Sequence, residues 1–123
     1  MNIKTDIARL ERAGAEHSAW MEKLSNAVDN MAKHLAKTLP HQRESLPRGY
    51  FFESCPNGDY ALIKGSKISL RNTSFGGKCR KDLLDFAADV ADGWLNEVAE
   101  YLEKETENFK RTTEQIEQVL AKT

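Results

Sequence analysis

The residues best suited to chemistry lie in the stretch NTSFGGKCRKDLL, residues 72–84. Gly76 and Gly77 lead into Lys78, Cys79, Arg80 and Lys81 where a helical pattern begins. Free backbone N–H groups, a helix N-terminus and cationic side chains are the ingredients of an anion site. The same setting favours the thiolate of Cys79. Neither the G-x-x-x-x-G-K-[ST] pattern of a phosphate loop nor the G-x-G-x-x-G pattern of a dinucleotide turn is present. No general base adjoins Cys79, so a thiol enzyme does not follow. Asp82 and Asp85 suit the positive end of a helix, and Leu83 and Leu84 open two apolar rows. The stretch reads as a joint between two structural elements.

Two other constellations bear on chemistry. His17, Glu105 and Thr112 fall on apolar seams, where a polar layer that fixes helix register is the simpler use than a His–carboxylate pair. His34, His41, Cys55 and Cys79 share no ligand spacing such as C-x₂-C or H-x₃-H, so no metal site is expected. With no nucleophile–base arrangement, metal spacing or cofactor loop, the expectation is a non-enzymatic protein with no cofactor.

Charge offers two binding hypotheses. Asp82, Asp85, Asp89 and Asp92 recur at three–four spacing and are followed by Glu97, Glu100, Glu103 and Glu107. Carboxylates about one helical turn apart, ~5.4 Å, imitate a line of phosphates. The partner-binding candidates are Asp85, Asp89, Asp92, Glu100 and Glu103. The alternative is a basic surface of Arg48, Lys64, Lys67, Arg71, Lys78, Arg80 and Lys81 beside Tyr50, Phe52 and Tyr60. Cations with aromatics attract phosphates and stack bases. The net charge of −1 conceals this split. Residues 41–81 carry eight basic and three acidic side chains, and residues 82–123 carry four and eleven. Such blocks either attract each other or face different partners.

The elements that must position these residues are legible as patterns. Ile3, Ile7, Leu10, Gly14, His17, Met21, Leu24, Val28, Met31, Leu35 and Thr38 alternate at four and three, a heptad seam. Pro40 ends that helix near Leu39. Leu84, Ala88, Ala91, Leu95, Val98, Leu102, Glu105, Phe109, Thr112, Ile116 and Val119 repeat the pattern, with a second row of Leu83, Phe86, Val90, Trp94 and Tyr101. Between them GYFFES, YALIK and KISLRN are short strands parted by CPNGD and Gly65-Ser66, the latter suited to a two-residue hairpin loop. The expected fold is α+β and mainly α. Two long helices form a coiled-coil-like antiparallel hairpin, with Ile7 near Ile116 and Gly14 near Phe109. They flank a three-stranded antiparallel β-meander that packs on the second row. One domain spans 1–123: an N-terminal helix over 1–39, the meander over 48–72 and a C-terminal helix over 78–122.

The 40% hydrophobic and 30% charged composition is that of a folded, surface-rich chain. MNIKTDIARLERAG lacks the apolar core of a signal peptide, and no apolar run approaches a membrane span, so a cytoplasmic location without membrane contact is expected. The functional expectation is a protein that binds a macromolecular partner stoichiometrically. Its specific form is an inhibitor or modulator of nucleic-acid-processing machinery, of the kind carried by a virus or mobile element. Direct DNA or RNA binding through the basic meander and a structural coiled-coil adaptor are the alternatives. Self-association as a dimer is expected in each case, because a lone hairpin leaves seam flanks exposed.

Overall fold

The computed structural model describes residues 2–72 and 78–123. Its elements run α1 (Ile3–Thr38), β1 (Arg43–Leu46), β2 (Tyr50–Ser54), β3 (Tyr60–Lys64), β4 (Ile68–Arg71), α2 (Arg80–Ala91) and α3 (Trp94–Ala121). Asn2 caps α1 by accepting the Thr5 N–H at 3.3 Å. The helix stops at Leu39, whose backbone is extended ahead of Pro40. The strands form one antiparallel sheet in the order β1-β2-β3-β4. Gly58 N–H bonds the Cys55 carbonyl in the turn between β2 and β3, as the CPNGD motif requires. The β3–β4 loop holds three residues, not two, since Lys64 pairs with Ile68.

Alternation sends Leu46, Tyr50, Phe52, Tyr60, Leu62, Ile68 and Leu70 to one sheet face, all buried. Two layers result. Three helical pieces cover that face: Val28, Ala32 and Leu35 of α1, Leu83 and Phe86 of α2, and Trp94 and Val98 of α3. The second apolar row of the C-terminal region therefore does meet the sheet, but shares it with half of α1.

Three features of the expected fold are corrected. The sheet has a fourth strand, β1, which pairs with β2 from Arg43↔Glu53 to Leu46↔Tyr50. Its inward positions are Glu44 and Leu46, so a buried carboxylate sits where the pattern wants an apolar residue. Next, the C-terminal helix is two helices. Gly93 has φ +92°, a left-handed conformation that no helix interior contains. The break turns the chain so that Trp94 enters the core between Tyr50 and Phe86, at ring-centroid distances of 4.9 and 5.5 Å.

Finally, the long helices do not form an antiparallel hairpin. α1 meets α2 around His17, Met21 and Leu24, near Arg80 and Leu83, and meets α3 around Met31, Leu35 and Thr38, near Leu95 and Leu102. Contacts thus advance in the same sense along both. The N-terminal part of α1 and the C-terminal part of α3 project from opposite ends of the body. Ile7 and Ile116 are 49% and 55% exposed rather than packed together, and a Cβ at Gly14 would meet nothing within 4 Å. The reason is the sheet: it takes the seam of α1 from Val28 to Leu35 that a partner helix would otherwise cover.

Candidate functional site

The densest polar arrangement lies where the β1–β2 turn meets the α2–α3 break. Arg48 occupies that turn with φ +64°, left-handed for a non-glycine residue. Its Nε lies 3.0 Å from both carboxylate oxygens of Glu97, and Nη2 also bonds Glu97. Nη1 reaches Asp89 at 3.1 Å, and Nη2 donates to the Asp92 carbonyl at 3.0 Å and lies 3.2 Å from its carboxylate. The break frees the carbonyl that Arg48 uses. Trp94 Nε1 donates to the Pro47 carbonyl at 3.0 Å, so the turn and the break are tied on two sides.

Asp89 is the centre of this cluster, 19% exposed, accepting from the Tyr50 hydroxyl and Arg48 and lying 3.3 Å from Lys64 Nζ. The Tyr50 hydrogen bond first, then Arg48 and Lys64, hold its carboxyl below the usual range against the opposing effect of burial. Glu97 is lowered in the same way by Arg48. Burial, then the bond to Asp89, pushes the Tyr50 phenol up. A second cluster anchors α1: Asp29 accepts from Tyr60 at 2.7 Å and pairs with Lys78 at 2.9 Å. Burial and that bond raise the Tyr60 phenol. At the β1 edge, Tyr101 lies 2.9 Å from Glu105 and 3.3 Å from Glu44. The Glu105 bond and burial push the Tyr101 phenol up to about 12. Glu105 is thus engaged within α3, and His17 instead lies 3.3 Å from Arg80, so the expected His17–Glu105 layer does not form.

The sequence candidates separate accordingly. Of the acidic set, Asp89 and Asp92 are held by Arg48, Asp85 is half-buried, and Glu100 and Glu103 are exposed. Of the basic set, Arg48, Lys64 and Lys78 are in ion pairs, whereas Lys67, Arg71, Arg80 and Lys81 are exposed. Tyr50, Phe52 and Tyr60 are in the core. Part of the charge asymmetry is therefore mutual attraction inside one molecule, between Arg48 and Lys64 and the carboxylates of Asp89, Asp92 and Glu97. Gly76-Gly77 lie outside the described residues. Cys79 caps α2, its sulfur accepting the Asp82 N–H at 3.4 Å. Among the described residues no three His, Cys, Asp or Glu side chains gather as metal ligands would.

The surface that sequence reasoning placed wrongly is the pair of projecting arms. Ile3, Ile7 and Leu10 on α1, and Phe109, Ile116, Val119 and Leu120 on α3, are exposed. Trp20 joins them at 66% exposure, beside a shallow apolar groove lined by Met21, Leu24, Leu83 and Leu84. Rows of this kind at heptad spacing leave an apolar stripe open to solvent along each arm. Among the described residues no helix is long and apolar enough to cross a membrane. Comparison with protein-family models, curated proteins and solved structures finds no match to this chain.

Proposed function

We propose that this chain is a non-catalytic protein-binding protein that acts through its projecting helices. The observation that carries this reading is the seam itself. An arm of α3 bearing Phe109, Ile116, Val119 and Leu120 leaves the body with its apolar row uncovered. Solvent-facing helices otherwise present polar residues on all sides. An amphipathic row read at i, i+3, i+4 and i+7 is the means by which one helix engages a helix or groove on a partner. The ion-pair network around Arg48 supports the reading in a different way. It fixes the angle at Gly93, and with it the direction in which α3 leaves the sheet.

The narrower form, an inhibitor offering carboxylates to a basic nucleic-acid channel, rests on Glu100 and Glu103, since Asp89 and Asp92 already face Arg48. The broader helix-docking form has the firmer support. Affinity capture from a lysate of cells expressing the chain, with nuclease added, compares wild type with Phe109→Glu/Ile116→Glu and with Glu100→Lys/Glu103→Lys. The first variant is expected to lose a stoichiometric partner while keeping its thermal melt. Loss only with the second favours the charged stripe, and capture unchanged by both refutes docking through α3.

A further inference from the structure

Heptad position along the α1 arm identifies its occupant. Taking Ile7 as a and Leu10 as d, the flanking e positions are Lys4 and Glu11, and the flanking g positions are Asp6 and Ala13. All lie on the exposed part of the helix. When two copies of this arm cross antiparallel about a two-fold axis, Ile7 packs against Leu10 of the second copy and Ile3 against its Gly14. The e positions then face each other, so Lys4 meets Glu11 of the second copy, and the symmetry repeats that pair. Parallel pairing brings Asp6 toward Glu11 of the second copy, two like charges. The α3 arm has Thr113 and Gln115 at its corresponding flanks, so it provides no charge code for α1.

The length of the arm fits the same arrangement. Its four layers, Ile3, Ile7, Leu10 and Gly14, end three residues short of His17, where Arg80 of the body begins. A second α1 therefore overlaps the exposed seam and comes alongside α2 only at its last layer, where Arg80 shares a groove with Ala13 and Glu16. At ~1.5 Å per residue the overlap is roughly 17 Å. Gly14 has open space around it within its own chain, which leaves room for the Ile3 side chain of the second copy. Helices of this length are marginal alone, so pairing also stabilises the arm.

We infer that the α1 arm is an antiparallel homodimerisation surface, specified by reciprocal Lys4–Glu11 contacts around an Ile7–Leu10 core. The inference rests on the reading of the arms as interaction surfaces but assigns α1 to a second copy and leaves α3 to another partner. Sedimentation velocity on the full chain over a hundredfold concentration range tests it. Wild type is expected to pass from monomer to dimer. Lys4→Glu and Glu11→Lys each turn two attractions into repulsions and are expected to weaken the dimer about tenfold. Combining them is expected to restore it to within about threefold. Leu10→Glu is expected to leave a monomer at every concentration. Each variant keeps the buried-Trp94 fluorescence if the body is intact, so misfolding is read separately. A wild type that stays monomeric, or a Glu11→Lys chain that dimerises more tightly, overturns the proposal; the latter would mean parallel pairing. Failure here with Phe109- and Ile116-dependent capture retained would leave the α3 reading standing.

Discussion

Gly93→Ala separates a kinked C-terminal region from a continuous helix by the sign of its effect on stability. In a straight helix, replacing glycine by alanine stabilises by ~0.5–1 kcal/mol, because alanine loses less backbone entropy on folding. At φ +92° the alanine Cβ instead crowds the backbone in a left-handed conformation, which costs ~1–2 kcal/mol. The structure removes the usual complication. A Cβ built at Gly93 meets no heavy atom of the surroundings within 4 Å, so the cost is conformational and not a clash. A destabilisation of ~1.5 kcal/mol with an m value of ~1.5 kcal/mol/M lowers the urea midpoint by about 1 M. The assay is equilibrium urea unfolding in a Trp20→Phe background. The only remaining indole is then Trp94, buried next to the break, while the replaced Trp20 is 66% exposed. Gly93→Asn, a side chain tolerated in left-handed backbone, is expected to lie between wild type and alanine. A midpoint that rises on Gly93→Ala refutes the hinge.

Arg48 tests the same joint from the other side. Arg48→Ala and Arg48→Gly both remove the guanidinium, and the glycine variant is expected to be the more stable of the two by thermal melting, because it alone relaxes φ +64°. Acid unfolding should be sensitive to this cluster. Asp89 and Glu97 titrate below the ordinary carboxylate range, so the unfolded chain takes up protons first as pH falls, and their contribution is complete above about pH 5 and is lost as pH drops below about 4 through their folded values. Tyr50→Phe, which removes the largest cause of the Asp89 shift, is expected to raise the Asp89 carboxyl in a ¹³C-detected titration and flatten the acid limb of a urea-midpoint profile; an unchanged Asp89 titration contradicts the assignment.

Element type was legible wherever period and punctuation agreed. The heptad rows announced helices at both ends, Pro40 ended the first, and CPNGD gave a correct turn. Two elements escaped for identifiable reasons. β1 reads RESL, and its inward glutamate, 7% exposed, hides the alternation. The break at Gly93 was masked because the four–three alternation runs through it unbroken, from Ala88 and Ala91 to Leu95 and Val98. The Asp92-Gly93 dipeptide was the available signal. The role of Arg48 had no sequence signal at all, since its partners lie 41 to 49 residues away.

Periodicity states that a row must be covered without stating what covers it, and the arms follow from that difference. Two matching seams in one chain suggest each other as partners, but the connection between them decides whether they can meet. Here the sheet intervenes, takes Val28 and Leu35 of one seam with the adjacent Ala32, and accepts Leu83, Phe86 and Trp94 from the second row of the other. The helices then lie side by side in the same sense and overrun the sheet at opposite ends. Ile3 to Leu10 cannot reach Phe109 to Leu120 in the same molecule, because the body lies between them. Within the molecule, therefore, neither row covers the other. A geometry set by one hydrophobic layer thus leaves two apolar rows, which read as one internal coiled coil, facing outward at opposite ends of the body.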